Sequence, residues 1–248
     1  MLELKNISKS FSDESGLTIN LLKNISFSLP DNKIYSVVGQ SGSGKTSLLK
    51  IIAGLEISSG GEIIKGNDSV ILFIPSEPSS FPWLNVKENI LFGLNNVDNN
   101  NIKELIKMVG IEGYESHFPH NKSLGFRFRI SLARTIIRKP NLIVIDEPFN
   151  KMNEETKEEL YMLLRNINNT LKIPIILGTS NINEAIFLSD KLFLMKNKPG
   201  EVFKSMDINL PEKRNLDIFL SEDFIKTRIV VENSYVSFES KTMFNISI

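Results

Sequence analysis

Short apolar runs of strand length alternate along the chain with longer segments of helical spacing. Leu2 to Ile7 and Leu22 to Leu29 read as strands, and the turn Pro30-Asp-Asn separates the second from a further run, Lys33-Ile-Tyr-Ser-Val-Val38. Thr46-Ser-Leu-Leu-Lys-Ile-Ile-Ala53 has helical spacing and is closed by Gly54. Gly60 to Lys65 and Val70 to Ile74 are short strands. Asn85 and Glu88 form a capping pair for a helix through Phe92, and the polar run Asp98 to Asn101 reads as a loop. Helices are predicted over Ile102–Val109, Ser123–Arg138 and Glu154–Leu171, with a short one around Glu184. Asn141-Leu-Ile-Val-Ile145 and Pro174 to Thr179 read as strands, and Leu192–Met195 and Glu201–Lys204 close the series. After about Pro211 the chain reads as an extension, with a helix from Ser221. No internal repeat is visible. Strands alternating with helices predict an α/β domain with a parallel core sheet.

One loop in this series carries chemistry. Gly39-Gln-Ser-Gly-Ser-Gly-Lys-Thr46 fits G-x-x-x-x-G-K-[ST], the phosphate-binding loop of P-loop nucleotide hydrolases. Gly39, Gly42 and Gly44 let the backbone curl so that successive N–H groups point at phosphate oxygens. Lys45 would reach the β- and γ-phosphates, and the Thr46 hydroxyl would coordinate Mg²⁺. The motif requires a strand before it and a helix after it, and both are present. The candidate nucleotide-binding residues are therefore Gly39, Gln40, Ser41, Gly42, Ser43, Gly44, Lys45, Thr46 and Ser47. Further on, Leu142-Ile-Val-Ile-Asp-Glu147 delivers two carboxylates at the carboxyl end of an apolar strand, where α/β sheets bind their ligands. Asp146 would hold the Mg²⁺ shell, and Glu147 would polarise an attacking water.

The bulk properties narrow the class. With 248 residues, 41% of them hydrophobic, the chain can form one large domain with a small extension. Lys plus Arg and Asp plus Glu both number 29, and no long basic stripe is present, so nucleic acid is not the expected partner. The absence of Cys excludes disulfides and thiolate metal sites. The start lacks the regions of a signal peptide, and no apolar run approaches the roughly 18 residues of a membrane span. The expectation is a cytosolic protein that meets a membrane through a partner.

The order of these pieces resembles the ATP-binding subunits of ABC transporters, from about Leu2 to Arg214, and looks closest to the ATPases of nitrate, sulfonate and taurine importers. Glu77-Pro-Ser-Ser-Phe-Pro-Trp-Leu-Asn-Val-Lys-Glu-Asn89 resembles the segment after the family's Q-loop. Met195 through Pro199-Gly200 resembles the strand pair after its H-loop, and Leu210-Pro-Glu-Lys-Arg214 its closing segment. The resemblance implies a P-loop nucleotide hydrolase fold with an antiparallel β subdomain and a helical subdomain inserted at about 85–138. Residues 1–214 would be the ATP-binding domain and 215–248 a C-terminal extension. It implies ATP and Mg²⁺ as ligands, a transmembrane permease subunit and a second ATP-binding subunit as partners, and a place on the inner face of the membrane. Phe11 would fall near the aromatic that stacks on adenine, or is an ordinary core or hairpin aromatic. Trp83 would border the groove that receives the permease's coupling helix, or packs in a local cluster.

The departures from the family matter equally. The Q-loop glutamine aligns with Ser76, the switch histidine with Ser180 and the D-loop aspartate with Asn153. The signature LSGGQ aligns with Lys122-Ser-Leu-Gly-Phe126, where Leu124 puts a bulky side chain at a glycine position. His117 and His120 precede the signature, so neither replaces the switch histidine. Removing one preorganised transition-state donor costs about 10²–10³ in rate. Binding groups are intact, so the expectation is firm nucleotide binding with slow hydrolysis. The rival from another class is an ATP-binding module that regulates or assembles and hardly hydrolyses. A P-loop kinase fits the Asp146-Glu147-Pro148 element and the helical insertion less well.

Overall fold

A computed structural model describes residues 2–12, 16–30, 32–95, 98–120 and 122–244. Its strands are β1 Leu2–Ser12, β2 Thr18–Leu29, β3 Ile34–Val38, β4 Gly60–Lys65, β5 Ile71–Ile74, β6 Leu142–Asp146, β7 Ile175–Thr179, β8 Lys191–Lys196 and β9 Glu201–Asp207. Its helices are α1 Lys45–Ile52, α2 Val86–Leu91, α3 Asn99–Met108, α4 Leu124–Ile136, α5 Glu154–Leu171, α6 Ile182–Leu188 and α7 Glu222–Phe244. A 3-10 turn spans Leu216–Leu220. Among the described residues no helix is long and apolar enough to cross a membrane.

The main sheet has the order β5-β6-β7-β3-β8-β9, parallel throughout except for the β8–β9 hairpin. All five residues of β3, β6 and β7 are buried. That explains their nearly continuous apolar runs, broken within β3 only by the buried Ser36: a parallel sheet is covered on both faces. Alternate residues feed two cores. Ile34, Val38, Ile143, Ile145, Ile175 and Leu177 face one that the helices cover. Tyr35, Val37, Leu142, Val144 and Ile176 face another, closed by α1 and a three-stranded antiparallel sheet of order β2-β1-β4. Both β subdomain and helical segment thus match the expected P-loop fold.

Three stretches differ from their sequence reading. The β1–β2 hairpin continues to a Ser12–Thr18 pair, beyond the apolar runs. Its outer residues are mostly polar, with one exposed apolar pair, Phe11–Ile19, and are held by the backbone ladder and a few side-chain hydrogen bonds such as that between the Ser12 and Thr18 hydroxyls. Asp98 to Asn101 is not a loop: Asp98 caps α3, its carboxylate accepting the Asn100 N–H at 3.0 Å, and the asparagines form the first turn. The chain after Arg214 packs into the main core. Phe224 and Val231 of α7 are buried there, and the Tyr235 hydroxyl donates to the Val38 carbonyl at 2.7 Å. Elsewhere the agreement is close. Asn85 and Glu88 form the expected reciprocal cap of α2, and α5 has the predicted bounds.

A buried carboxyl lies under the carboxyl end of β7. Glu184 is 4% exposed and accepts the Tyr161 hydroxyl at 3.1 Å. Burial pushes its pKa up to about 7, against the opposing effect of hydrogen bonds from Thr179 and Tyr161. The folded protein therefore holds this proton where the unfolded chain has released it, so the group's contribution to stability falls as pH rises from about 4.5 to about 7. The full loss is on the order of 3 kcal/mol. Glu184→Gln removes that titration. Thermal melts of both proteins at pH 5, 6.5 and 8 are expected to show the variant gaining on the parent as pH rises. A difference independent of pH would mean that Glu184 titrates like an exposed glutamate.

Candidate nucleotide-binding site

The loop between β3 and α1 is shaped by three glycines for two reasons. Gly42 and Gly44 have φ of +81° and +89°, which other residues rarely adopt. Gly39 is there for closeness: a Cβ would stand 2.8 Å from Ser43 Oγ and 2.9 Å from the Met195 carbonyl. The turn after β8 backs the loop. Gly200 exchanges backbone hydrogen bonds with Leu21 and Lys23, and a Cβ on it would lie 2.1 Å from the Ser43 carbonyl. The Asn197 amide donates to Gln40 Oε1 at 3.1 Å. Ser43 is buried, while Ser41, Gly42 and Thr46 are exposed and Ser47 is half buried. Gly44 precedes α1 without a side-chain cap, so the helix opens with uncapped N–H groups.

Lys45 is the buried charge of this loop, 3% exposed. Its ammonium donates to the Gly39 carbonyl at 2.8 Å and the Gln40 carbonyl at 3.1 Å, and pairs with Glu147 Oε1 at 2.8 Å. The next residue reaches the other carboxylate: Thr46 Oγ1 donates to Asp146 Oδ2 at 2.9 Å, with Oδ1 at 3.1 Å. Strand register brings these groups together. Val38 is level with Thr179, and Asp146 with Gly178, so β3, β7 and β6 end side by side.

Burial holds the Asp146 carboxyl above the usual carboxylate range, and the charge of Glu147 adds to this; Thr46 and Lys45 pull it down. A carboxylate whose charge is penalised in this way suits a cation. Glu147 has φ +38° and donates its N–H to the Gly178 carbonyl at 2.9 Å. Its Oε2 accepts a hydrogen bond from the Asn150 amide. Asn150 and Asn197 escape sequence reading, because a single amide in a turn has neither period nor motif.

The remaining expected positions lie around this centre. Ser76 follows β5 and Ser180 follows β7, both exposed. Glu77, beside Ser76, forms an ion pair with Lys151 in the loop after β6. Ser123 caps α4, its hydroxyl accepting the Phe126 N–H at 3.2 Å. Gly125 is buried, and a Cβ there would meet Thr156 Cγ2 of α5 at 2.5 Å. Asn153 caps α5 through the Thr156 N–H at 3.1 Å. Phe11 sits at the far end of β1, opposite Ile19 and half exposed, with the Lys9 ammonium 4.9 Å above its ring. It is not a core aromatic. Trp83 is 68% exposed at the edge of a cluster, its ring 5.5 Å from that of Phe81, which also meets Phe92 at 4.4 Å.

The chain is similar to known proteins over most of its length. The ABC transporter family matches residues 22–150. The aliphatic sulfonates import ATP-binding protein SsuB of Bacillus cereus is 36% identical over 236 residues, 92% of each chain. Its Bacillus subtilis counterpart is 36% identical over 216 residues, 84% of each. Among solved structures, a dimeric ATP-binding cassette, MJ0796, in a post-hydrolysis state bound to ADP and Pi superposes with a TM-score of 0.72. It is 26% identical and spans 85% of this chain and 100% of its own. With the phosphate loop, the two carboxylates and these relatives in agreement, the chain belongs to the ABC transporter family, as one of its ATP-binding subunits.

Proposed function

We propose that the chain binds Mg²⁺-ATP between Gly39–Ser47 and Asp146–Glu147, hydrolyses it slowly, and drives an importer through a membrane permease. The observation that carries this is the convergence of Lys45, Thr46, Asp146 and Glu147 at the level ends of β3 and β6. The uncapped start of α1 supplies N–H groups for phosphate oxygens. Lys45 exchanges Glu147 for a phosphate oxygen, which frees the carboxylate to act on water. Phe11, exposed at the hairpin end, is the candidate surface for adenine.

The cation fits the residues present: the Thr46 hydroxyl and the buried Asp146 carboxylate already face each other. Bound there, Mg²⁺ would offset the charge of the β- and γ-phosphates. Glu147 takes the proton of the attacking water as its oxygen bonds the γ-phosphorus and the bridging oxygen leaves on ADP. Ser76 and Ser180 lack the glutamine and histidine side chains that would assist, and Leu124 crowds the helix start that would meet the γ-phosphate of an opposing subunit.

The sulfonate-import relatives support an importer role, on the inner face of the membrane, with selectivity left to the permease. The exposed Trp83–Phe81–Phe92 cluster is the candidate contact for that permease. A second ATP-binding subunit completes each site.

Lys45→Ala is expected to abolish most of the ATP-dependent rise in melting temperature, because a ligand that binds only the folded state stabilises it. An unchanged rise in the variant would end the reading of this loop as the ATP site.

Turnover of the unmodified chain is expected well below about 10 s⁻¹, a typical enzyme rate. Ser76→Gln with Ser180→His, in a chain that also carries Leu124→Gly, should raise it, and Glu147→Gln should abolish it. Steady-state phosphate release decides this: a parent already at the typical rate contradicts the weight given to these three positions.

In a homodimer every site would lack the glutamine and histidine and face Leu124. A partner of consensus type would give one mixed site intact phosphate-loop donors and a full opposing signature. ATP is therefore expected to close a mixed dimer more readily than a homodimer. Sedimentation of the Glu147→Gln chain with ATP and Mg²⁺, with and without such a partner, measures it. A stable ATP-dependent homodimer is the contrary result.

A further inference from the structure

Among the described residues Glu147 has two side-chain partners. Lys45 holds Oε1 at 2.8 Å and the Asn150 amide donates to Oε2. The two partners differ in what a nucleotide does to them. An ammonium has three N–H donors. Two of those on Lys45 are spent on the Gly39 and Gln40 carbonyls, which hold the loop in shape, and the third is on Glu147. A γ-phosphate that claims Lys45 takes this third donor. Glu147 then keeps its backbone bond to Gly178, which fixes where the side chain starts but not where the carboxylate turns.

Ser180, exposed after β7, is too short to take over. Asp146 and Glu184, whose carboxyls feel the charge of Glu147, are acids and offer it no cation. What remains is Asn150. It lies three residues on, within the same turn, so its bond to Glu147 is local and survives any movement of other elements or of a partner subunit.

We propose that Asn150 is a positioning residue for ATP hydrolysis. Once nucleotide has drawn Lys45 away, its amide retains Oε2 of Glu147 and leaves Oε1 free to accept the proton of the attacking water. It thereby does part of the orienting that Ser76 and Ser180 do not. The proposal rests on Glu147 acting as the base in the reading above. Its chemical content is narrow: position 150 must offer a hydrogen-bond donor, and a carboxylate there is worse than a methyl group, since like charges repel.

The test is single-turnover hydrolysis by the purified full chain, held in excess over radiolabelled ATP with Mg²⁺, so that slow chemistry is still read. The melting shift with ATP is measured in parallel. Asn150→Ala is expected to lower the rate constant about tenfold or more, because small losses of alignment at reacting atoms are costly. The ATP concentration at half-saturation and the melting shift should stay within about twofold of the parent's, as should follow for a group that orients a base and does not hold nucleotide. Asn150→Asp should fall at least as far as the alanine variant. Asn150→Gln, which restores an amide donor, should recover most of the loss. Asn150 is exposed, so all three should melt within about 2 °C of the parent.

Equal rates in parent and Asn150→Ala would overturn the proposal, as would weaker ATP binding with an unchanged rate, or an aspartate as active as the parent. A parent that shows the melting shift but no hydrolysis at all would also overturn it, since there would be no base to orient. A parent with no melting shift is a different failure: it removes the nucleotide site itself.

Discussion

A lysine ammonium with 3% of its side chain exposed cannot stand unpaired in a protein interior, and much of this site follows from that demand. Three acceptors must converge on it. Two are carbonyls of its own loop, and turning them inward requires the curl that Gly42 and Gly44 permit. The third is a carboxylate from another strand, so β6 must end level with β3. β7 lies between the two and is hydrogen-bonded to both, and its register sets that level. The left-handed backbone of Glu147 then turns the side chain back toward Lys45 while its N–H is satisfied by Gly178. The loop, the sheet order and the strained residue are one solution to one buried charge.

The sequence made the centre of this arrangement legible and its edges less so, for physical reasons. β3, β6 and β7 are buried on both faces, so each is a mostly apolar run that pattern reading finds. The phosphate loop is legible because glycine and lysine stand at fixed offsets. The outer half of the β1–β2 hairpin pairs mostly polar residues, and its one apolar pair, Phe11–Ile19, is too isolated to form a pattern. The asparagine run at 99–101 has the composition of a loop and is helical because Asp98 caps it. The contact from Tyr235 to Val38 spans 197 positions, and nothing local announces it. Sequence left Phe11 between an adenine-stacking aromatic and an ordinary core or hairpin one, and its exposure removes the core possibility alone.

The altered signature and D-loop become intelligible when their structural and ligand-facing duties are separated. Ser123 is retained and caps α4; Gly125 is retained where a Cβ would strike Thr156. Asn153 replaces an aspartate and still caps α5, since an amide oxygen accepts an N–H as a carboxylate does. Position 124 is half buried at the helix start, and leucine costs the packing nothing visible there. What has been kept is what the fold uses. The remaining departures, Leu124, Ser76 and Ser180, lie at positions that are half buried or exposed and that the fold does not visibly need.

The balance of charge around Lys45 also bears on how the site can fill. Asp146 and Glu184 both have their carboxyls pushed toward the protonated form, in each case first by burial and then partly by the charge of Glu147. The Lys45 ammonium pairs with Glu147 and acts on Asp146, with help from Lys50, while Glu184 has Lys157 as its cationic neighbour. A triphosphate brings several further negative charges to the same place and takes Lys45 from Glu147. Without compensation Asp146 and Glu184 would be driven further toward the protonated form. A divalent cation, if held by Thr46 and Asp146 as proposed, would shift that balance back toward the anions. In the proposed site the same ion that offsets the phosphates would also favour the Asp146 carboxylate beside it, so that nucleotide and cation would be coupled through one local electrostatic sum.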